Sequence, residues 1–273
     1  MQQNDFIEAS PLGKESAYVN EYSPQLLFPI PRNKPWHPKF SKRPFYGIDV
    51  WNAFEVSWLN KKGLPQMALA EFRIPADSPN IVESKSFKLY LNSFNQSTMT
   101  TGAHVQQHMT EDLTAAVGAP VQVTLFNLCE KAMTVLPTPG VNIDEQDIEI
   151  STYTPDAHLL MVDSSAYRTE ILHSHLLKTN CPVTGQPDWA TLVVEYEGPS
   201  IDRAGLLAYI VSYRDHGDFH EQCVEQIFLD IKAQCKPGQL TVYARYLRRG
   251  GLDINPYRST RPLAPSNHRT ERQ

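Results

Sequence analysis

Cys181 stands in a stretch unlike the surroundings of the other cysteines: Lys178-Thr-Asn-Cys-Pro-Val-Thr-Gly-Gln-Pro-Asp188-Trp, a loop bounded by prolines with a carboxylic acid seven positions on. A free thiol ionises near ~8.5, so little is thiolate at neutral pH, yet that fraction attacks acyl carbons, nitriles and activated rings well. After attack on a carbon–nitrogen multiple bond the nitrogen must gain a proton. Asp188 could supply it if burial beside Pro187 and Trp189 favours the neutral acid. Equally, Asp188 could cap the loop ahead of a strand. Cys129, Cys223 and Cys235 have apolar neighbours, the usual setting of a small core residue. No CxxC pair links the four, so free thiols in a reducing compartment are expected.

His220-Glu221 follows Asp215-His-Gly-Asp218 at the opening of a helical pattern. Asp218 as N-cap with Glu221 three residues on would form a capping box, and a carboxylate suits the positive helix end. The same carboxylate could accept two parallel hydrogen bonds from a guanine-like N–H/NH₂ edge. His173 and His175, at strand spacing, match neither CxxC nor HxxxH, and His104 and His108, one helical turn apart, have no acidic or thiol partner placed beside them to complete a zinc site. No metal is expected. Nor is a Rossmann dinucleotide site, since no glycines are arranged as GxG. For a phosphorylated cofactor the available cations are Lys85, Lys88, Arg245, Arg248 and Arg249, the last beside Gly250-Gly251, where backbone N–H groups can approach phosphate closely.

These groups need a scaffold, and the pattern that supplies it occurs twice. In the first half Ala53–Leu59 alternates as a strand, Asn60–Gly63 turns, and a strand follows around Met67 to Ile74. Val82 to Phe94 places Phe87, Leu91 and Phe94 on one helical face. A second helix buries Val105, Met109 and Leu113 and stops at Gly118, and Val121 to Leu128 is again a strand. In the second half the order is strand Thr169–Leu177, loop, strand Trp189–Glu197, helices Arg203–Tyr213 and Phe219–Gln234, and strand Leu240–Tyr246. Gly63-x-Pro65 answers Gly185-x-Pro187, and Ser78-Pro79-Asn-Ile81 answers Gly198-Pro199-Ser-Ile201. Two tandem ββααββ-like modules are expected: an α+β fold with antiparallel sheets and helices packed on one face. The expected division is a proline-rich extended arm over residues 1–45, modules over 46–135 and 136–255, and a loose polar tail over 256–273.

The chain has 273 residues, 41% of them apolar, enough to build cores without disulfide staples. A formal net charge of −5 argues against nucleic-acid binding through the phosphate backbone. No run approaches the ~18 apolar residues of a membrane span, and no signal peptide is evident. A cytoplasmic protein without membrane contact is expected, and exposed sheet edges favour a homodimer or higher homo-oligomer.

The eight residues Glu83-Ser84-Lys85-Ser86-Phe87-Lys88-Leu89-Tyr90 fit, position by position, the signature of the QueF family: Glu, Ser or Leu, Lys, Ser or Ala, hydrophobic, Lys, Leu or Tyr, aromatic. The chain resembles the long, two-module form of that family over nearly its whole length, with Cys181, Asp188 and His220-Glu221 in the expected order. The resemblance implies tandem tunnelling-fold modules and an NADPH-dependent nitrile reductase that converts 7-cyano-7-deazaguanine to its 7-aminomethyl analogue in tRNA queuosine biosynthesis. It implies a catalytic set of Cys181, Asp188 and His220, in which Cys181 forms a thioimide and Asp188 donates the proton, and two NADPH molecules that deliver hydride in turn. It assigns His220 and Glu221, with Val82, Glu83 and Ser84, to the substrate, and Ser84, Lys85, Arg249 and Gly250 to NADPH. Alternatives are a zinc-dependent cyclohydrolase-like hydrolase of the same fold group and a purine- or pterin-binding module without chemistry.

Overall fold

The computed structural model describes residues 19–32, 40, 42–128 and 135–273. Cys129 and most of the proline-rich arm (1–18, 33–39 and 41) lie outside the described residues. The chain divides into two compact units. Among described residues the first takes 19–32, 49–128 and Arg248–Asp253, and the second takes 40, 42–48, 135–247 and 254–273. The β-hairpin connection at Arg248 thus belongs with the first unit.

In the first unit, β1 (Pro29–Pro31) places Ile30 opposite Ile81 of the antiparallel β4 (Asn80–Val82). Part of the proline-rich arm is therefore a short strand, preceded by one 3₁₀ turn at Pro24–Leu26. The sheet of this unit runs β5-β3-β2, with β2 at Tyr46–Leu59, β3 at Pro65–Pro75 and β5 at Gln122–Phe126. The turn between β2 and β3 forms because Asn60 Oδ1 accepts from the N–H groups of Lys62 and Leu64, and Gly63 takes φ 75°. Helix α1 (Ser84–Ser93) starts where Glu83 accepts from the backbone N–H groups of Lys85 and Ser86. Helix α2 (Gly102–Val117) starts at the Thr101 cap and stops at Gly118, whose φ of 74° is left-handed. Phe87 is fully buried with its ring centroid 5.2 Å from that of Trp51 and 5.0 Å from that of Phe72. Truncating it to alanine would cost about 3–5 kcal/mol.

The second unit is built on β7 (Val162–Asn180) and β8 (Pro187–Ile201), a long antiparallel hairpin with a register shift between Ser174 and Leu177. The sheet runs β10-β9-β8-β7-β6, where β6 is Val141–Asn142, β9 is Gln239–Tyr246 and β10 is Leu252–Ser259. Pairing is antiparallel except for β6, which runs parallel to β7. Helix α3 (Arg203–Ser212) is capped by Asp202, and α4 (His220–Gln234) follows a short loop.

The internal repetition goes deeper than the sequence identity indicates. Tyr90, the seventh residue of α1, donates its hydroxyl to Asp112 of α2 at 2.6 Å, and Tyr209, the seventh of α3, donates to Asp230 of α4 at 2.7 Å. Ser93 and Ser212, each closing its helix, donate back to the carbonyls of Tyr90 and Tyr209. Gly63 and Gly185 both have positive φ, and Pro65 and Pro187 each open the next strand.

The stretch expected to be a loose tail begins inside β10, since Pro256–Ser259 belong to that strand. Every residue of β10 is buried, and Gln273 is only 8% exposed. Polar composition misled here because the polar groups are satisfied inside. The guanidinium of the fully buried Arg258 donates twice to Glu225 and once to the Tyr257 carbonyl.

Candidate active site

Cys181 opens the loop that joins β7 to β8. Its N–H donates to Gln186 O at 2.9 Å and its carbonyl accepts from Gly185 N at 3.0 Å, so six residues close tightly around Gly185 at φ 66°. Pro187 then starts β8, and Asp188, second in that strand, lies in register with Thr179. The thiol and the carboxylate are thus held at the closed end of one hairpin. A second restraint acts on the neighbouring Asn180: its N–H donates to His216 O, its carbonyl accepts from Asp218 N, and Lys178 Nζ donates to Arg214 O at 2.6 Å.

That restraint also delivers the start of α4. Nε2 of His220 faces Oδ2 of Asp188 at 3.3 Å, with side chains 15% and 5% exposed. Behind it lies Tyr246, the last residue of β9, whose ring is parallel to the imidazole to within 2° at a centroid distance of 3.7 Å. Burial first, then nearby Cys223, Asp188 and Glu221, hold the Tyr246 hydroxyl well above the ordinary tyrosine range; the adjacent Thr179 hydroxyl acts in the opposite sense. The Tyr246 and Thr179 hydroxyls and Nδ1 of His220 are buried without a hydrogen bond among the described residues. Glu221, 3% exposed, completes the first turn of α4. The arrangement is a buried nest of one thiol-bearing loop, two carboxyls and an imidazole, suited to nucleophilic attack with proton transfer.

In the first unit a cavity of about 360 Å³ is lined by Lys85, Lys88 and Asn92 of α1, Glu55 of β2, and Gly250 and Gly251. Both glycines are left-handed, at φ 57° and 69°. A Cβ on Gly251 would fall 2.4 Å from Glu55 Cδ, and one on Gly250 would press on the Lys88 side chain at 3.4 Å. Two ammonium groups facing a side-chain-free stretch of backbone fit the phosphates of a nucleotide. Arg248 lies over the Phe54 ring at 4.4 Å.

Two family models match the chain. One, described as nitrile reductase, 7-cyano-7-deazaguanine-reductase N-term, covers residues 18–125; the other, QueF-like protein, covers 187–264. The chain belongs to the QueF family. It is accordingly an α+β protein of tunnelling-fold modules, and the activity of its family is nitrile reduction in queuosine biosynthesis.

Of the residues assigned by the QueF resemblance, Cys181 falls between the two matched ranges, whereas Asp188, His220, Glu221, Arg249 and Gly250 lie inside the second and the Val82–Lys85 segment inside the first. The second unit brings Asp188, His220 and Glu221 together beside the Cys181 loop; the first brings Lys85 and Gly250 to one cavity. Val82 and Glu83 are buried, and Glu83 spends its carboxylate on the start of α1. Burial raises the pKa of Glu83, against the pull of the Lys85 and Ser86 N–H groups and of Lys88.

Two sequence expectations need correction. Asp218 is not the N-cap of α4: that position is Phe219, and the Asp218 carboxylate accepts from Phe219 N instead. The capping box fails because the preceding loop is pulled back onto Asn180. Arg245 is not available to a phosphate. It is 2% exposed and donates to Gln273, Tyr243 and Asn267. His173 and His175 do share a face, with ring centroids 5.2 Å apart, but they bind Pro139 O and Thr191 Oγ1. Among the described residues no cluster of three or more His, Cys, Asp or Glu side chains could hold a metal ion. Tyr246 and Thr179 were missed. The only sequence signal was an aromatic residue closing a strand, which names no partner.

Proposed function

We propose that this chain reduces the nitrile of 7-cyano-7-deazaguanine to the 7-aminomethyl compound with NADPH, through a thioimide on Cys181. The observation that carries this is the placement of a cysteine loop, a buried Asp188 and the His220 imidazole in one nest, in a chain of the QueF family.

A nitrile is a poor electrophile. Addition of the Cys181 sulfur to its carbon leaves negative charge on nitrogen, and Asp188 protonates that nitrogen as the thioimide forms. Burial favours the proton-carrying form of a carboxyl, and the facing imidazole of His220 holds the acid in place and can return a proton to it. Glu221 accepts hydrogen bonds from the N–H/NH₂ edge of the deazaguanine, and opposed tasks for two carboxyls in one nest fit acid and ligand roles. Val82, Glu83 and Ser84 are assigned to the same substrate by the resemblance. Each Glu83 oxygen keeps a lone pair beyond its bond to the α1 N–H groups.

NADPH, when bound, would supply hydride to the thioimide carbon; the C–S bond then breaks, returning the sulfur to Cys181 as thiolate and leaving an imine, which hydride from a second NADPH would reduce. Lys85 and Lys88 neutralise its phosphates, Ser84 and Arg249 add donors, and the backbone at Gly250 admits it without a side chain in the way. The reaction is cytoplasmic and needs no metal. Incubating the protein with the nitrile alone should add the ligand mass to the peptide containing Cys181, and NADPH should then be consumed at two equivalents per amine. Wild-type turnover by Cys181→Ala would refute the mechanism.

A further inference from the structure

Tyr246 is held by side chains as well as by its strand. Its N–H donates to Asn255 Oδ1 at 3.2 Å, and its carbonyl accepts from Gln273 Nε2 at 3.1 Å. The same Gln273 nitrogen donates to Asn255 Oδ1 at 2.9 Å, and Gln273 Oε1 accepts from Arg245 Nε at 2.8 Å. The amide orientation is thereby fixed, since a flipped Gln273 would set its NH₂ against a guanidinium N–H. The three side chains are 8%, 0% and 2% exposed for Gln273, Asn255 and Arg245, so the bonds are made in a dry setting where a lost partner is costly.

We propose that Gln273 is a positioning residue of the nest: through its amide it locks Tyr246, and with it the plate on which His220 lies opposite Asp188. The proposal rests on the assignment of Asp188 and His220 as the proton-handling pair. The coupling is mechanical. The rings are parallel at 3.7 Å, so a shift of the Tyr246 backbone is passed to the imidazole. At 3.3 Å the His220–Asp188 contact already lies beyond the usual N–H···O range, and a few tenths of an ångström more would break it. The titratable groups around this stack are Asp188 on β8, Tyr246 on β9, and Glu221 and Cys223 on α4.

Gln273→Glu keeps the chain length and the acceptor for Arg245 but removes both donors. Gln273→Met, uncharged and of similar size, is the second variant should a buried carboxylate prevent folding. Two readouts are needed: the NMR signals of the His220 ring protons in the free protein at fixed pH, which report the stack on Tyr246, and kcat and KM for nitrile reduction. The expected result is displacement of the His220 ring signals from their wild-type positions, with kcat down about tenfold and KM for NADPH unchanged. A folded variant whose His220 ring signals stay at the wild-type positions overturns the proposal, whatever happens to its melting temperature. The spectra are read without substrate, so displaced signals in a protein that reduces no nitrile would uphold the positioning role and reject the enzymatic assignment instead.

Discussion

The carboxylate of Asp188 and the imidazole of His220 meet at 3.3 Å although 32 positions separate them, one arriving from the end of a hairpin and the other from the first turn of α4. If Asp188 delivers the proton, Asp188→Asn should lower kcat by about 10²–10³-fold while KM for the nitrile changes only slightly. Steady-state kinetics check this. A large loss of affinity with unaltered turnover would assign Asp188 to binding instead.

Among the described residues the fully buried Tyr246 hydroxyl has no well-formed hydrogen bond, only the Thr179 hydroxyl nearby. Removing such a group relieves a desolvation cost, so Tyr246→Phe should leave the fold as stable or raise it by about 1 kcal/mol. Urea unfolding measures it. A loss of more than about 1 kcal/mol would mean that the hydroxyl has a partner in solution.

Gly251→Ala and Gly63→Ala separate strain from collision. Both residues have positive φ, but the new Cβ at Gly63 meets nothing within 4 Å, whereas at Gly251 it meets the Glu55 side chain at 2.4 Å. The Gly63 change should cost about 1 kcal/mol. The Gly251 change should cost more and raise KM for NADPH at least several-fold. Equal melting temperatures for the two variants would contradict this.

Glu170 gives a pH signature. Burial alone would raise its pKa, but hydrogen bonds from Tyr196 and Arg203 and the charge of Arg203 outweigh it, and the net shift is downward. A depressed carboxyl contributes stability that is complete above its unfolded pKa of about 4.3 and is lost as pH falls through the folded value. Melting curves between pH 6 and pH 3 should therefore fall less steeply for Glu170→Gln than for the wild type. Parallel curves would remove Glu170 from the acid response.

The elements were legible where apolar spacing alone decides the structure: Phe87, Leu91 and Phe94 form a buried helix face, and β-branched residues mark β8. Cys181 stands out in the sequence because its neighbours are Pro, Thr and Gly rather than apolar residues, and it is buried in its loop. Its supporting plate was not legible, because Tyr246 meets His220 only once α4 and β9 have packed, and no local pattern encodes that. Arg258 and Ser259 made the end of β10 look like solvent-exposed chain. Their partners, such as Glu225, lie far away in sequence. The cap of α4 was misjudged for the same reason, since long-range bonds to Asn180 override a local motif.

The twin tyrosine–aspartate braces let the two halves be aligned helix by helix, and with Asp230 set on Asp112 the opening of α4, His220-Glu221, falls on Gly102-Ala103 of α2. At that position one copy of the duplicated scaffold carries an imidazole and a carboxylate, and its sibling carries neither. An active-site titration with the nitrile should accordingly saturate at one equivalent per polypeptide, even though the architecture occurs twice.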